Sequence, residues 1–119
     1  MLTTWREQVA FRPGRFNPIE LARTPIAKVV LACFEPGQFI PVHKPGVDLV
    51  LLVLEGSGRF ADDAGEHPLE GGSLAFVPAG AQRGIQADTR MVVLHVVTPP
   101  PTEADHGGVA AGLKRGTWR

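Results

Sequence analysis

The chain has 119 residues, of which 44% are hydrophobic and 20% charged, and its 12 basic side chains balance its 12 acidic ones. This length holds one domain, and the charge balance argues against a nucleic-acid partner, because such surfaces carry a basic excess or a basic stripe. A single cysteine, Cys33, excludes a disulfide framework and a thiolate metal site.

No membrane or secretion signal is visible in the sequence. The first residues lack the basic segment followed by an apolar one that marks a signal peptide. The longest apolar runs, residues 29–34 and 49–54, are too short to span a bilayer. We therefore expect a cytoplasmic protein without a membrane partner.

The 14 glycines and 11 prolines cut the chain into short apolar segments of strand length, which is typical of an all-β fold. Residues 1–25 are the least regular part and predict an arm over the body, with a single helical turn at residues 19–22. The predicted strands cover residues 26–34, 39–43, 49–54, 59–61, 73–77, 82–86 and 90–97. Cys33 is expected to be a buried small hydrophobe.

The strand at residues 49–54 is apolar at every position, so both of its faces need cover. The core covers one face, and a second subunit or another sheet covers the other. This pattern favours a homodimer, and a large internal sheet contact is the alternative.

The tail after the sheet predicts a short helix. Pro99, Pro100 and Pro101 end the sheet because consecutive prolines cannot donate to a strand ladder. Thr102 precedes Asp105 by three residues, which is the spacing of a helix-capping pair. Three glycines in this segment are expected to weaken the helix, and residues 114–119 are expected to be loose unless Trp118 docks.

Two glycine-rich stretches carry the clearest signal of family. The matching residues are Gly37, His43 and Gly56 in the first stretch and Gly72, Pro78 and Gly80 in the second. Their spacing resembles the two motifs of the cupin superfamily, small jelly-roll β-barrels of two packed antiparallel sheets. The resemblance implies a single cupin domain over residues 1–119, with the barrel at about 26–99, an irregular N-terminal arm at 1–25 and a tail at 100–119.

The same motifs carry the superfamily's usual metal ligands, three histidines and a glutamate, and here only His43 is retained. The other three positions hold Pro45, Leu49 and Arg83, and Ala87 stands in place of a motif asparagine. Proline and leucine offer no donor atom, and the arginine charge repels a cation. The usual cupin metal site is therefore not expected.

His43 and Arg83 are the first candidates for a ligand site. The resemblance implies that His43 points into the barrel mouth, where it can bind a ligand oxygen, act as an acid or base, or hold a metal. The alternative is a structural histidine paired with a backbone carbonyl. Arg83 in the same cavity is a natural partner for a carboxylate or phosphate, and the alternative is a surface arginine or one paired with Asp48.

Asp48 and His95 are the second pair of candidates. Asp48 lies one residue before the lost glutamate, so it faces the site only if a β-bulge occurs between Pro45 and Leu49; an ion pair with Arg83 or Lys44 is the alternative. His95 interrupts an apolar run. Facing the interior, it would lie near His43, and otherwise it is a core or interface histidine.

Two further histidines lie outside the motifs. His106, close to Glu103 and Asp105, is either a solvated helix start or a member of a rebuilt metal set. His67 precedes a proline in an acidic turn and is expected to be exposed.

These observations lead to two hypotheses. The first is a binding or sensing module without a metal cofactor, in which His43, Arg83, Asp48 and His95 hold a small anionic molecule. The alternative is an enzyme of the dioxygenase or isomerase type that uses a divalent metal on His43, His95, Asp48 and His106. The sequence leaves open the identity of the ligand and whether a reaction is catalysed.

Overall fold

The computed structural model describes residues 1–119, which form nine strands and two helices. The elements are α1 (Trp5–Gln8), β1 (Asn17–Arg23), β2 (Lys28–Phe34), β3 (Phe39–His43), β4 (Asp48–Glu55), β5 (Ser57–Asp62), β6 (Gly65–Glu70), β7 (Leu74–Val77), β8 (Arg83–Ala87), β9 (Met91–Thr98) and α2 (Glu103–Arg115). Neither helix is long and apolar enough to cross a bilayer.

The strands form two antiparallel sheets, one in the order β1-β2-β9-β4-β7 and the other in the order β3-β8-β5-β6. Their facing sides pack into one apolar core, because alternate residues of each strand point inward. On β4, for example, Leu51 and Val53 are fully buried, whereas Val50 on the sheet's outer side is half-exposed. The predicted fold class, an all-β jelly roll of two antiparallel sheets, is confirmed.

The predicted strands are confirmed with small shifts at their ends. β3 has the predicted bounds, and β4 extends the predicted segment by one residue on each side. β6 is an additional strand that the sequence did not reveal, because His67 and Pro68 interrupt its apolar pattern. Pro68 is accommodated because β6 is an edge strand.

The prediction of a helical turn at residues 19–22 is wrong, because these residues lie in β1. β1 pairs with β2 from Asn17 to Arg23, with one register shift between Glu20 and Ala22, and Ile19 and Leu21 pack on the outer side of the sheet. A single helical turn is weakly stable by itself, so strand pairing determines the conformation. The irregular arm is therefore shorter than predicted. Trp5 of α1, with Val9 and Phe11 after it, covers the outer side of β2, where Cys33 is buried.

The C-terminal helix α2 is confirmed and lies against β3. Thr102 and Asp105 form the predicted reciprocal cap at its first turn. The glycines, which were expected only to weaken α2, have a second role. A Cβ at Gly112 would lie 2.2 Å from Pro41 Cβ, and one at Gly108 would lie 3.0 Å from His43 Cβ. The two glycines thus allow the helix backbone to touch β3.

Beyond α2 the chain is fastened to the barrel. The Val42 amide donates a 2.8 Å hydrogen bond to the Trp118 carbonyl, and Arg119 pairs with Glu66. The docking of Trp118, which the sequence left open, therefore occurs, and it pairs part of the free edge of β3.

The glycines of α2 provide a matched pair of substitutions. We predict that Gly112→Ala lowers the free energy of unfolding by about 1–3 kcal/mol, because the new methyl group overlaps Pro41. Gly107→Ala, whose Cβ would meet nothing within 4 Å, should raise it by up to about 1 kcal/mol through helix propensity. Urea denaturation of both variants measures these changes, and equal stabilisation by the two substitutions would contradict the close packing of α2 on β3.

Candidate functional site

A cavity of about 390 Å³ lies between the two sheets, and α2 forms one of its walls. This volume is in the range of sites for small organic molecules. Most of the lining is apolar and includes Leu49, Leu51, Phe60 and Ile85. Three of the four predicted ligand residues, His43, Arg83 and His95, also line it.

Arg83 is the buried charge of this cavity, with only 4% of the residue exposed. Its Nη2 donates to the Pro78 carbonyl at 2.9 Å and to the Ala81 carbonyl at 3.4 Å. Its Nε and Nη1 atoms are buried and have no hydrogen-bond partner. Burial lowers the pKa of the guanidinium, and the carboxylates of Asp48 and Asp105 partly oppose this effect. The ion pair between Arg83 and Asp48, which was the alternative to a ligand role, does not form.

His43 is the cross-strand partner of Arg83, because the two residues pair at the end of β3 and the start of β8. The His43 Nδ1 lies 2.8 Å from the Pro41 carbonyl oxygen, as expected for the structural alternative. Burial lowers the pKa of His43, the positive charge of Arg83 lowers it further, and the carbonyl contact opposes both. The ring nevertheless lines the cavity, so the structural and ligand-binding roles are compatible.

His95 faces the interior. On β9 it lies between Val30 of β2 and Leu51 of β4, both of which are buried on the inner side. Burial, followed by the nearby charges of His43 and Arg83, lowers the pKa of His95 to about 4. The imidazole is therefore neutral at physiological pH and supplies hydrogen-bonding atoms without charge.

Asp48 and His106 are placed differently from the other candidates. Asp48 is exposed at the start of β4 and does not line the cavity; its Oδ1 accepts a 2.8 Å hydrogen bond from the Ala79 amide. The bulge that would turn it inward is not present, since β4 keeps regular pairing with β9 from its first residue. His106 lines the cavity from α2 but is largely exposed. His67 is exposed, as predicted, and pairs with Asp62.

The residues present do not fit a divalent metal. No group of three or more histidine, cysteine, aspartate or glutamate side chains is arranged to hold an ion. Arg83 instead places a fixed positive charge beside His43 and His95, and such a charge opposes a cation on these rings. The rebuilt metal set of His43, His95, Asp48 and His106 is therefore not assembled. Asp48 is the clearest reason, because it does not line the cavity.

Two cations of the lining were missed from the sequence. Lys28 lies on β2 two residues before the buried Val30, so the strand period directs both to the inner side. This two-residue spacing could have identified Lys28 as an inward-facing residue from the sequence. Arg15, in the arm, stacks over Phe16 with 5.2 Å between its guanidinium carbon and the ring centre, and no sequence pattern indicated it.

Asp105 was also missed as a positioning residue. Its carboxylate accepts hydrogen bonds from the amides of Gly46 and Thr102, both at 2.9 Å. These bonds join the start of α2 to the loop between β3 and β4, and they lower the pKa of the carboxyl group. The wall formed by α2 is thus fixed to the barrel mouth.

Several solved structures share this architecture. An RmlC-like cupin protein from Desulfovibrio desulfuricans is 33% identical, covers 77% of this chain and 90% of its own, and superposes with a TM-score of 0.71. The TT1209 protein from Thermus thermophilus is 29% identical, with coverages of 83% and 96% and a TM-score of 0.75. A protein from Klebsiella pneumoniae with a double-stranded β-helix domain is 22% identical, covers 82% of this chain and 89% of its own, and has a TM-score of 0.75. At this identity the similarity shows the fold alone. No family model and no curated protein matches the sequence.

The partly buried, neutral His95 predicts a pH dependence of stability. Its pKa of about 4 in the folded chain lies below the ordinary value of 6.5, so the unfolded chain binds the proton first as the pH falls. Stability that is present above pH 6.5 is therefore lost between pH 6.5 and 4, by about 2 kcal/mol on going from pH 7.5 to 5.0.

Urea denaturation at the two pH values tests this prediction. His95→Gln should remove about 2 kcal/mol of the pH-dependent loss, whereas His67→Gln, at an exposed position, should retain all of it. Equal losses in the wild-type chain and His95→Gln would contradict a neutral, inward-facing His95.

Proposed function

Because this chain belongs to the cupin superfamily but carries an arginine where the superfamily's second motif has a metal-binding histidine, we propose that it binds a small organic anion in the barrel without a metal. The anion pairs with Arg83, and His43 and His95 contact it from the two facing sheets. The observation that carries this proposal is the pair of buried, unpartnered nitrogens on Arg83.

An unpaired buried donor is unfavourable, costing about 1–3 kcal/mol and more on a charged group. Native structures rarely leave such donors unpaired, and an acceptor carried by a ligand would satisfy them. A carboxylate or phosphate oxygen is the strongest acceptor for a guanidinium, because the hydrogen bond is charge-assisted on both sides.

The charge of the lining supports the same class of ligand. Arg83, Arg15 and Lys28 contribute three positive charges, whereas Asp105 contributes the only negative one. None of the three cations forms an ion pair within the chain. The Asp105 carboxylate is occupied by the backbone of Gly46 and Thr102. The cavity therefore presents unneutralised positive charge.

The rest of the lining sets the shape of the ligand. Apolar side chains of both sheets, among them Leu51, Phe60 and Ile85, surround the space beside Arg83. Such a wall favours an apolar body, since burying apolar surface contributes roughly 25 cal/mol per Å². A small organic acid with a hydrocarbon part fits better than an inorganic ion.

We predict that small carboxylates raise the melting temperature of the chain by mass action, whereas the matching neutral amides do not. Acetate, butyrate and benzoate, compared with acetamide, butyramide and benzamide at constant ionic strength, are suitable probes. Arg83→Met, which keeps the length of the side chain without its charge, should abolish the carboxylate effect.

Arg59→Gln is the matched control, because Arg59 is an exposed arginine of β5 outside the cavity. This variant should respond like the wild-type chain. If carboxylates stabilise Arg83→Met as much as the wild-type chain, the anion does not bind at Arg83 and the proposal is wrong.

We also propose that a second copy of the chain covers the outer side of β4 and β7. Here Leu74 is 73% exposed, Phe76 59% and Val50 47%, and they lie together because Val50 pairs with Phe76. The arm of the chain already covers the same sheet over β2, so only this half lacks cover. The chain is neutral overall, and two copies do not repel each other through net charge.

Light scattering after size exclusion tests this homodimer. The wild-type chain should elute as a dimer and Phe76→Glu as a monomer, because a charge in an apolar interface is strongly unfavourable. Ile26→Glu alters another exposed apolar residue, away from β4 and β7, and should leave the dimer intact. A monomeric wild-type chain at micromolar concentration would contradict the proposal.

A further inference from the structure

We propose that the ligand of this cavity is a hydroxycarboxylate, with its carboxylate on Arg83 and a neighbouring hydroxyl group that donates a hydrogen bond to Nε2 of His43. This inference rests on the proposed function, which places an anion at Arg83. It adds the chemical group that lies beside the anion.

The hydrogen bond of His43 fixes which ring nitrogen carries the proton. The Nδ1 atom lies 2.8 Å from the Pro41 carbonyl oxygen. A carbonyl oxygen can only accept, so Nδ1 must donate. In a neutral imidazole the other nitrogen then carries a lone pair. Nε2 of His43 is therefore an acceptor, and its ring lines the cavity.

The strand register places this acceptor next to the donors of Arg83. His43 and Arg83 are direct partners across β3 and β8, and both line the same cavity. Directly opposite residues of an antiparallel pair have Cβ atoms about 4.5–5.5 Å apart. The site thus combines a fixed positive donor group and a neutral acceptor within the span of a small molecule.

The helix α2 restricts the imidazole to this arrangement. Gly108 lies so close to His43 that a Cβ at this position would be 3.0 Å from the His43 Cβ. The Pro41 carbonyl holds one side of the ring, and the helix backbone packs on its base. The ring is therefore positioned before a ligand binds, which lowers the entropic cost of binding.

The surroundings of His43 keep it an acceptor near neutral pH. The charged and titratable groups around it are Arg83 on β8, His95 on β9, and Asp105 and His106 on α2. Burial, together with the charges of Arg83 and His106, outweighs the contacts with the Pro41 and Arg83 carbonyls and lowers the His43 pKa. Asp105 is engaged with backbone amides and offers no carboxylate to the ring.

Other small acids match this pair of groups less well. A simple carboxylate pairs with Arg83 but leaves the Nε2 lone pair without a donor. A second carboxylate beside the first would face that lone pair with another acceptor. An amino group would bring a positive charge next to the buried guanidinium, which is unfavourable. A hydroxyl on the adjacent or the next carbon donates to Nε2 and adds no charge.

Calorimetric titration with matched acids tests this inference. The probes are butyrate, 2-hydroxybutyrate and 3-hydroxybutyrate, used at pH 7.5 and constant ionic strength. We expect at least one hydroxy acid to bind about 3- to 10-fold more tightly than butyrate, which corresponds to one additional hydrogen bond. His43→Phe should reduce this ratio to about 1, because phenylalanine keeps a ring but lacks the lone pair.

Nitrogen NMR of the histidine rings in the wild-type chain supplies a readout that needs no substitution. Adding the hydroxy acid should shift the Nε2 resonance of His43 as a new hydrogen bond forms, and butyrate should leave it nearly unchanged. His67→Gln, at an exposed site, should behave like the wild-type chain in both measurements.

The outcomes separate this inference from the proposed function. If butyrate binds through Arg83 but neither hydroxy acid binds more tightly, or if His43→Phe keeps the preference, the hydroxycarboxylate inference is overturned while the anion site stands. If no carboxylate binds the wild-type chain at all, the anion site fails, and the inference fails with it.

Discussion

The site depends on one buried charge, the guanidinium of Arg83, which uses a single nitrogen for hydrogen bonds to the chain. In water all of its N–H groups would be satisfied, so burial is unfavourable and must be offset by the surrounding core. A connected apolar core supplies that compensation, with Phe34, Leu51 and Met91 fully buried. On the proposed function, a bound anion supplies the missing acceptors and offsets this cost.

Three walls hold the surroundings of this charge in place. The smaller sheet presents Arg83 and His43 as strand partners, and the larger sheet presents His95 from the opposite side. The third wall is α2, which has few buried side chains of its own and is held by glycine contacts and by the Asp105 carboxylate. The helix therefore depends on the barrel for its position, and its attachment to β3 and to the barrel mouth determines the shape of the cavity.

Much of the barrel could be predicted because turn chemistry is local. The four glycines that match the family motifs, Gly37, Gly56, Gly72 and Gly80, all have positive φ, between 83° and 94°. Other residues rarely adopt that conformation, so their spacing carries information about the fold. At Gly56 a Cβ would also lie 2.0 Å from the Arg90 carbonyl oxygen. β1 was missed because its partner strand, rather than its own sequence, determines its conformation.

The site could be predicted only in part. The spacing of the motifs places His43 and Arg83 at matching positions of the family pattern, and the structure brings them together. Whether His95 faces inward depends on which alternate residues of β9 point to the core. A continuous apolar run does not reveal this, because residues on both faces are apolar. Two facts about Arg83, its unpaired nitrogens and the absence of an ion pair with Asp48, depend on three-dimensional packing, and no sequence pattern encodes them.

On the proposed function, an arginine-based anion site replaces the metal of this barrel. Elemental analysis tests it most directly, on protein purified without a histidine tag, incubated in turn with Mn, Fe, Ni, Cu and Zn ions, and desalted. We predict less than about a tenth of an equivalent of each metal, because Arg83 repels a cation and no three-ligand set is assembled. About one equivalent of any of these ions per chain, lost in His43→Ala, would show that a metal site is present and that the metal-free anion site is wrong.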